Sequence, residues 1–266
     1  MIIDSHCHLN RLKLEDCSLD QIIEDAKQKG VSQMISVATT LQEMTEIKAI
    51  SDRYPHVFYS VGIHPSEANA FKNSQRSDII SYTKENKCVA IGETGLDYYY
   101  NDKSTYALQQ QSFLMHLAAA NAVNKPVIVH TRSAKADTLQ ILKEGQVEHC
   151  GGVLHCFTED WDMAKQALDL GMYISFSGIV TFKNAGDIQA VAKKIPSDRI
   201  LIETDAPYLT PVPFRGKSNY PAYVYYVAEY LADLRQQPLD EFCQITYENT
   251  QRCFALPVFA SAQLDN

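Results

Sequence analysis

The sequence predicts an α/β fold of one kind, a parallel (β/α)8 TIM barrel. Short apolar runs rich in Val and Ile recur eight times, and each is followed by a polar turn and a stretch with helical spacing. The length of 266 residues is close to the roughly 250 of a typical barrel. An open doubly wound sheet is the alternative, but it usually has a glycine-rich turn after its first strand, and the segment DSHCHLN contains no glycine.

The predicted strands follow one another in order along the chain. The eight strand-like runs read MIIDSHCH, QMISVAT, VFYSVGIHP, CVAIGETGLD, KPVIVHTR, GGVLHCF, MYISFSG and RILIETDAP. After the first run, Ser18 and Gln21 form a possible capping box, and Gly30 marks the end of the first helix. No segment rich in Pro, Gly or Ser divides the chain, so we expect one barrel domain over residues 1–256 and a C-terminal tail over 257–266.

Composition and charge exclude several classes of protein. With 45% hydrophobic positions the chain can bury a large core, which excludes a disordered chain. The net charge of −8 argues against a broad basic surface for nucleic acid, although a small site could hold one phosphate. The seven cysteines include no CxxC pair, so we expect reduced thiols and a cytoplasmic protein. No charged leader or apolar stretch of ~20 residues is present, and we expect no membrane contact and no obligate protein partner.

Side chains that bind metals follow most of the predicted strands. They are His6 and His8 after the first run, His64 after the third, Glu93 after the fourth, His130 after the fifth, His155 after the sixth and Asp205 after the eighth. Barrel enzymes build their sites at these carboxyl ends. Because side chains alternate along a strand, His6 and His8 should face the same way and Cys7 the opposite way. A lone buried histidine is usually a core residue, but so many at equivalent strand ends predict a metal site.

The size of this set predicts two divalent ions. A catalytic zinc usually takes three protein ligands, and the chain offers more than that. We expect Glu93 to bridge the ions, with His6, His8 and Asp205 completing one and His130 with His155 the other. Histidine nitrogens and carboxylate oxygens suit zinc or manganese, and magnesium less readily.

The same stretches resemble the TatD family of metal-dependent hydrolases, within the wider amidohydrolase-like barrels. The matching stretches, in the family's order, are DSHCHL, GIHP, IGETGLDYY, KPVIVHTR, LHCF, ETDAPYL and FRGKSNYPAYV. The resemblance implies a TIM-barrel deoxyribonuclease, often an exonuclease, that hydrolyses phosphodiester bonds with a metal-activated water. It carries the metal-ligand roles to His6, His8, Glu93, His130, His155 and Asp205, and places His64 and Arg132 near the substrate. Ser133 and Ser218 depart from the family's acidic and basic residues, and Ser218 weakens the expectation of polymeric DNA.

Catalytic and substrate-binding roles follow from this expected chemistry. Asp205 is assigned as general base besides its ligand role, and Glu93, His64 and Arg132 complete the catalytic set. The long loop 208–222 carries the expected substrate contacts Arg215, Lys217 and Asn219. Arg132 and Arg215 could each bind phosphate through two hydrogen bonds.

Other roles stay open at the level of the sequence. The tyrosines at 98–100 could stack bases or pack a loop, and Cys156 should face away from the site. The expected partner is DNA, single-stranded or bound at an end. One alternative is an amidohydrolase or esterase acting on a carbonyl, such as an aminoacyl-tRNA ester, and another is a noncatalytic metal-binding scaffold.

Overall fold

A computed structural model describes residues 1–14, 17–71 and 74–258 of the chain. Eight parallel strands form one sheet in sequence order, which confirms the predicted barrel. The strands are β1 Ile2–Cys7, β2 Val31–Ser36, β3 Val57–Val61, β4 Cys88–Asp97, β5 Val127–Arg132, β6 Gly152–Leu154, β7 Tyr173–Phe176 and β8 Ile200–Ile202.

Helices follow the strands and form the outer layer. Within the described ranges they are α1 Leu19–Gln28, α2 Met44–Arg53, α3 Ala68–Phe71, α4 Arg76–Tyr82, α5 Tyr106–Val123, α6 Lys135–Glu144, α7 Val147–Cys150, α8 Trp161–Asp169, α9 Gly186–Ala192, α10 Val224–Leu234 and α11 Leu239–Phe254. None of these described helices is both long and apolar enough to cross a membrane.

The first helix begins and ends where the sequence predicts. The Ser18 hydroxyl accepts a hydrogen bond from the backbone N–H of Gln21 at 3.2 Å. The described contacts of this helix include no reciprocal bond from the Ser18 N–H to the Gln21 side chain, whose NH2 group donates to Asp25. Gly30 ends the helix with a φ of +83°, a left-handed conformation that costs glycine little.

The barrel closes between β1 and β8 through backbone hydrogen bonds just beyond β8. The N–H of Asp205 donates to the carbonyl of His6 at 2.9 Å, and the N–H of His8 donates to the carbonyl of Ala206 at 2.8 Å. The Ser5 hydroxyl, on β1, donates to the carbonyl of Ile202. These bonds position residues 6, 8 and 205 side by side at the carboxyl end.

Two of the register shifts between neighbouring strands lie beside the candidate ligands and change which side chains face the axis. From Asp4 to Cys7, three residue steps along β1 lie opposite only two steps along β2. In the same way, β4 has one more residue than β5 between the paired positions Ile91 and Thr94. Ile3 packs in the inner apolar cluster, which lies inside the barrel and includes Ile128. Cys7 packs in the outer cluster, between the strands and helices, which includes Ile22. Strict alternation would put Ile3 and Cys7 on the same side of β1. Such bulges are common beside active sites because they redirect a side chain.

The opposite end of the barrel is closed by apolar side chains. Tyr247 and Phe254 of α11, together with Leu256, pack into the inner cluster with strand residues such as Ile128. The Gln33 amide of β2 donates to the carbonyl of Pro257, the first residue of the predicted tail. The rest of that tail from position 259 lies outside the described residues, so the domain boundary stays a prediction.

Candidate metal centre

Glu93 lies at the centre of the predicted ligands, and its two oxygens face different histidines. Oε1 is 2.7 Å from Nε2 of His155 and 3.2 Å from Nδ1 of His130. Oε2 is 3.5 Å from Nε2 of His6 and 4.0 Å from Nε2 of His8. The carboxylate therefore separates His130 on β5 and His155 just after β6 from the pair of histidines at the end of β1.

Asp205 completes the group at the junction of β1 and β8. Its Oδ1 lies 3.3 Å from Nε2 of His8 and 3.7 Å from Nε2 of His6. The backbone of Asp205 has a φ of +57°, a conformation that aspartate tolerates better than most residues. The structure thus brings all six predicted metal ligands into one cluster, in which His6, His8, Glu93 and His155 are buried and the other two are half-buried.

Backbone and side-chain acceptors orient two of the histidines from behind. Nδ1 of His8 faces the carbonyl of Val37 at 2.9 Å, and Nδ1 of His155 faces Oε1 of Glu203 at 3.1 Å. Neither oxygen can donate, so each ring carries a proton on Nδ1 and turns Nε2 into the cluster, where this nitrogen can bind a metal once it is deprotonated. Metal-binding histidines are held in this way in many proteins.

His130 and His64 differ in the atom that each presents. Nε2 of His130 lies 3.1 Å from Oδ2 of Asp97, which turns Nδ1 of the ring toward Glu93. Nδ1 of His64 accepts the backbone N–H of Ser66 at 3.1 Å, so the neutral ring carries its proton on Nε2. That nitrogen lies 3.5 Å from Oε1 of Glu93. His64 therefore stays a neutral ring that presents a hydrogen-bond donor to the cluster.

The donor set fits divalent ions. Three groups of potential ligand atoms each lie within 4.8 Å of one another: His6, His8 and Glu93; His64, Glu93 and His130; and His6, His155 and Glu203. Among the described residues, the buried Nδ1 of His6 and Oε2 of Glu203 have no hydrogen-bond partner. Imidazole nitrogens mixed with carboxylates suit zinc, manganese or iron, and converging lone pairs are stabilised by a cation.

Charges within the cluster depend strongly on one another. Burial opposes ionisation of Glu93, but the surrounding histidines, His155 first, outweigh burial and hold its pKa well below 4.5. Burial also opposes a charge on His155, yet Glu93 and Glu203 raise its pKa well above 6.5. Burial lowers the pKa of His64 to about 4, so this ring is neutral at neutral pH. Without a bound cation, protonated histidines such as His155 balance the negative charge of the carboxylates. Metal binding would release these protons.

A cavity of about 480 Å³ opens above the cluster at the carboxyl end of the barrel. Glu93, His64 and Arg132 line this cavity. Cys156 also lines it, which corrects the expectation that this thiol faces away. The strand β6 ends at Leu154, and the φ of Cys156 is +43°, so strand alternation no longer applies there.

The predicted contacts of the long loop lie elsewhere. The Cζ atom of Arg215 is 3.7 Å from the centroid of the Phe182 ring, and Nζ of Lys217 lies above the Phe214 ring at 5.9 Å. Asn219 is fully buried, and its amide donates to the carbonyls of Thr204 and Tyr208. The structure does not bring these three side chains to the cavity, and their substrate roles stay predictions.

Sequence reasoning missed three residues around the site. Asp97 and Glu203 hold His130 and His155 from behind, and Arg11 lines the cavity while bound to Glu43. A signal existed for the two carboxylates, since Asp97 ends the Glu93 strand and Glu203 precedes Asp205 by two positions. No spacing marked Arg11.

The fold and this cluster define the class of metal-dependent hydrolase barrels. Comparison of the sequence then identifies the family. The chain belongs to the family described as TatD related DNase, whose model matches residues 3–255.

Individual relatives agree with this family. A metal-dependent hydrolase of Escherichia coli K12, named YcfH and described as uncharacterized, is 47% identical over 255 residues, 95% of each chain. The solved structure of YJJV, a TatD homologue from Escherichia coli K12, has a TM-score of 0.86 at 29% identity and covers 96% of this chain and 98% of its own. A protein of Edwardsiella piscicida named 3′-5′ ssDNA/RNA exonuclease TatD is 34% identical, over 89% of this chain and 93% of its own.

Proposed function

We propose that this chain hydrolyses phosphodiester bonds in DNA as a deoxyribonuclease that acts at strand ends and uses two divalent ions. The observation that carries the proposal is the position of Glu93, whose Oε1 and Oε2 face two separate groups of nitrogen and oxygen donors. A bridging carboxylate between two such groups is typical of two-ion phosphodiester chemistry. The similarity to a relative named as an ssDNA/RNA exonuclease supports a nucleic acid substrate.

The proposed ligands divide between the ions as their distances suggest. His6, His8 and Asp205 would hold one ion, and His130 with His155 the other, with Glu93 shared. When bound, zinc, manganese or magnesium ions would activate water and offset the negative charge of a phosphate.

Side chains of the protein would bind the phosphate and accept the proton of the attacking water. Arg132, at the cavity, makes no ion pair with a carboxylate in the described part of the chain, so its guanidinium is available to bind phosphate. Nε2 of His64 donates a hydrogen bond to a phosphate oxygen. Asp205 accepts the proton of the attacking water. It is ionised for this role, because the surrounding histidines, His8 first, together outweigh burial and hold its pKa below 3.8.

Hydrolysis of end-labelled single-stranded DNA tests the proposal. We expect purified protein to release nucleotides with Mg²⁺, Mn²⁺ or Zn²⁺, and to lose this activity with a chelator and in Glu93→Ala. The exposed Glu144, on α6, provides the matched control Glu144→Ala, which should remain active. The ladder of products shows which end is attacked.

One result would contradict the proposal. If protein shown to contain bound ions releases no nucleotide with any metal, a carbonyl substrate becomes the better assignment. Aminoacyl-tRNA hydrolysis by the same preparation would then be the decisive assay, since a metal-activated water can attack carbon as well as phosphorus.

A further inference from the structure

Exposed tyrosines lie at the cavity and beside it. Tyr99 is 62% exposed, Tyr100 is 71% exposed, and Tyr208 is 47% exposed. Tyr100 and Tyr208 line the cavity on different loops. Large aromatic side chains left in water beside a cavity are typical of binding surfaces, because their apolar faces gain free energy when a ligand covers them.

Arg132 connects two of these rings to the cavity. Its Cζ atom lies 4.4 Å from the centroid of Tyr99 and 4.5 Å from the centroid of Tyr100. The two rings are 4.8 Å apart and nearly perpendicular, at 88°. The guanidinium thus contacts both rings, and its edges remain free for an anion.

Asp97 fixes this aromatic pair relative to the candidate metal centre. Oδ1 of Asp97 accepts the backbone N–H of Tyr99 at 2.9 Å and that of Tyr100 at 2.8 Å. Oδ2 of the same carboxylate faces Nε2 of His130 at 3.1 Å. One buried side chain therefore orients both a candidate metal ligand and the backbone beneath the exposed rings.

The other side of the cavity lacks these properties. Arg11 donates through Nε to Oε1 of Glu43 at 2.9 Å and also contacts Thr39, so its charge is already paired. Tyr208 lies there with its ring 6.0 Å from that of His8. The Arg11 side therefore offers one exposed ring and a neutralised cation, whereas the Arg132 side offers two exposed rings and an available cation.

We propose that Tyr99, Tyr100 and Arg132 form a subsite for one unpaired nucleobase beside the scissile phosphate. This inference rests on the proposed function and specifies its substrate class. A base inside a duplex is stacked on both faces and cannot reach an aromatic ring, so the subsite selects single strands and frayed ends. Arg132 binds the adjoining phosphate while its face supports the rings.

Oligonucleotides that lack one base test this subsite. The wild-type ladder on single-stranded DNA identifies the first bond that is cut, and a tetrahydrofuran abasic residue then replaces the nucleotide on either side of that bond. At one of these positions we expect kcat/KM to fall about 5- to 150-fold, mainly through KM, as loss of one base stack predicts.

Tyrosine variants show whether that loss comes from these rings. The double variant Tyr99→Ala/Tyr100→Ala should cut the complete oligonucleotide as poorly as wild type cuts the abasic one, and should show no further abasic penalty. The variant Tyr99→Phe/Tyr100→Phe keeps the rings and should retain the penalty. The matched control Tyr225→Ala, on α10 against Lys29, should behave as wild type.

The possible failures are distinguishable. An active wild type with no abasic penalty, or with a penalty unchanged in the alanine double variant, would overturn the base subsite and leave the proposed function intact. A wild type that cuts no phosphodiester with any metal would remove both.

Discussion

The two halves of the candidate metal centre place their negative charge differently. On β5 and β6, His130 and His155 are each held from behind by a buried carboxylate, Asp97 and Glu203. At the junction of β1 and β8, the carboxylate of Asp205 lies among the candidate ligands themselves, 3.3 Å from His8. The first half thus has basic histidines supported from behind, and the second has a carboxylate that lines the cavity.

This difference suggests a division of labour. A carboxylate behind an imidazole increases the basicity of the ring and its hold on a cation. A carboxylate at the cavity can also accept a proton, and Asp205 lines the cavity whereas Glu203 is fully buried. We therefore expect the β5/β6 half to retain its ion more firmly and the β1/β8 half to take part in proton transfer.

Removing the charge of Glu93 should affect both halves at once. We expect Glu93→Gln to lose both ions and to lower kcat/KM for a phosphodiester by more than about 1,000-fold, because each group of donors shares this carboxylate. Metal content by plasma mass spectrometry and hydrolysis rates check this, with Glu144→Gln as control. Retention of one ion per chain would mean that the halves are independent.

Changing Asp205 should affect one half only. We expect Asp205→Asn to lower kcat by about 100- to 10,000-fold, the range for loss of a general base, while the β5/β6 half keeps its ion. Metal content and the pH profile of kcat on the same preparation separate these effects. Loss of all metal, as in Glu93→Gln, would contradict the proposed division.

The outer carboxylates of the β5/β6 half provide a smaller test. Asp97→Asn and Glu203→Gln should each weaken metal binding by about 10- to 100-fold, because His130 or His155 loses the negative charge that supports its orientation and basicity. Competition against a chelating dye measures this, and excess metal should restore activity. The control Asp102→Asn, in the loop after β4, should bind metal normally. Equal affinity in all variants would show that the outer carboxylates do not set metal retention.

The smallest expected effect is a pH dependence of stability that reverses when metal binds. Burial opposes charge on His155 and His130, but their carboxylate partners raise both pKa values above 6.5 in the folded state. The stability from these protons is present below pH 6.5 and is lost as pH rises through the folded pKa.

Melting curves between pH 6.5 and pH 8.5 measure this effect. Metal-free protein should lose about 2–5 °C of Tm as the pH rises, whereas metal-loaded protein should gain, because cations bind the deprotonated rings. Glu203→Gln should flatten the metal-free curve. The prediction fails if metal-free and metal-loaded protein respond to pH in the same direction.

Much of the fold could be predicted because its signals are periodic. Eight apolar runs bounded by polar turns predict eight strands, and the barrel then needs only that each strand pairs with the next one along the chain. The six candidate ligands were recognisable because they are metal-binding residue types at equivalent strand ends, and the structure brings them together. Whether they hold ions stays a prediction that the metal measurements test.

Supporting residues were harder to predict because their role depends on neighbours distant in the sequence. Glu203 and Asp205 are two positions apart and chemically similar, yet Glu203 is fully buried behind His155 while Asp205 faces the cavity. Asn219 shows a different side of the same difficulty: the sequence marks it as a polar residue of a long loop, but its buried amide donates to the backbone carbonyls of Thr204 and Tyr208. Residue type and spacing do not distinguish these environments.

The sequence by itself determined the barrel class and the residue types available for a metal centre. Only the tertiary structure decided which way the decisive side chains point. The added residues in β1 and β4 change the phase of alternation between Ile3 and Cys7 and again beside Glu93, and so direct the candidate ligands inward. The physical reason is that a bulge is defined by pairing between strands, and no strand contains that information alone.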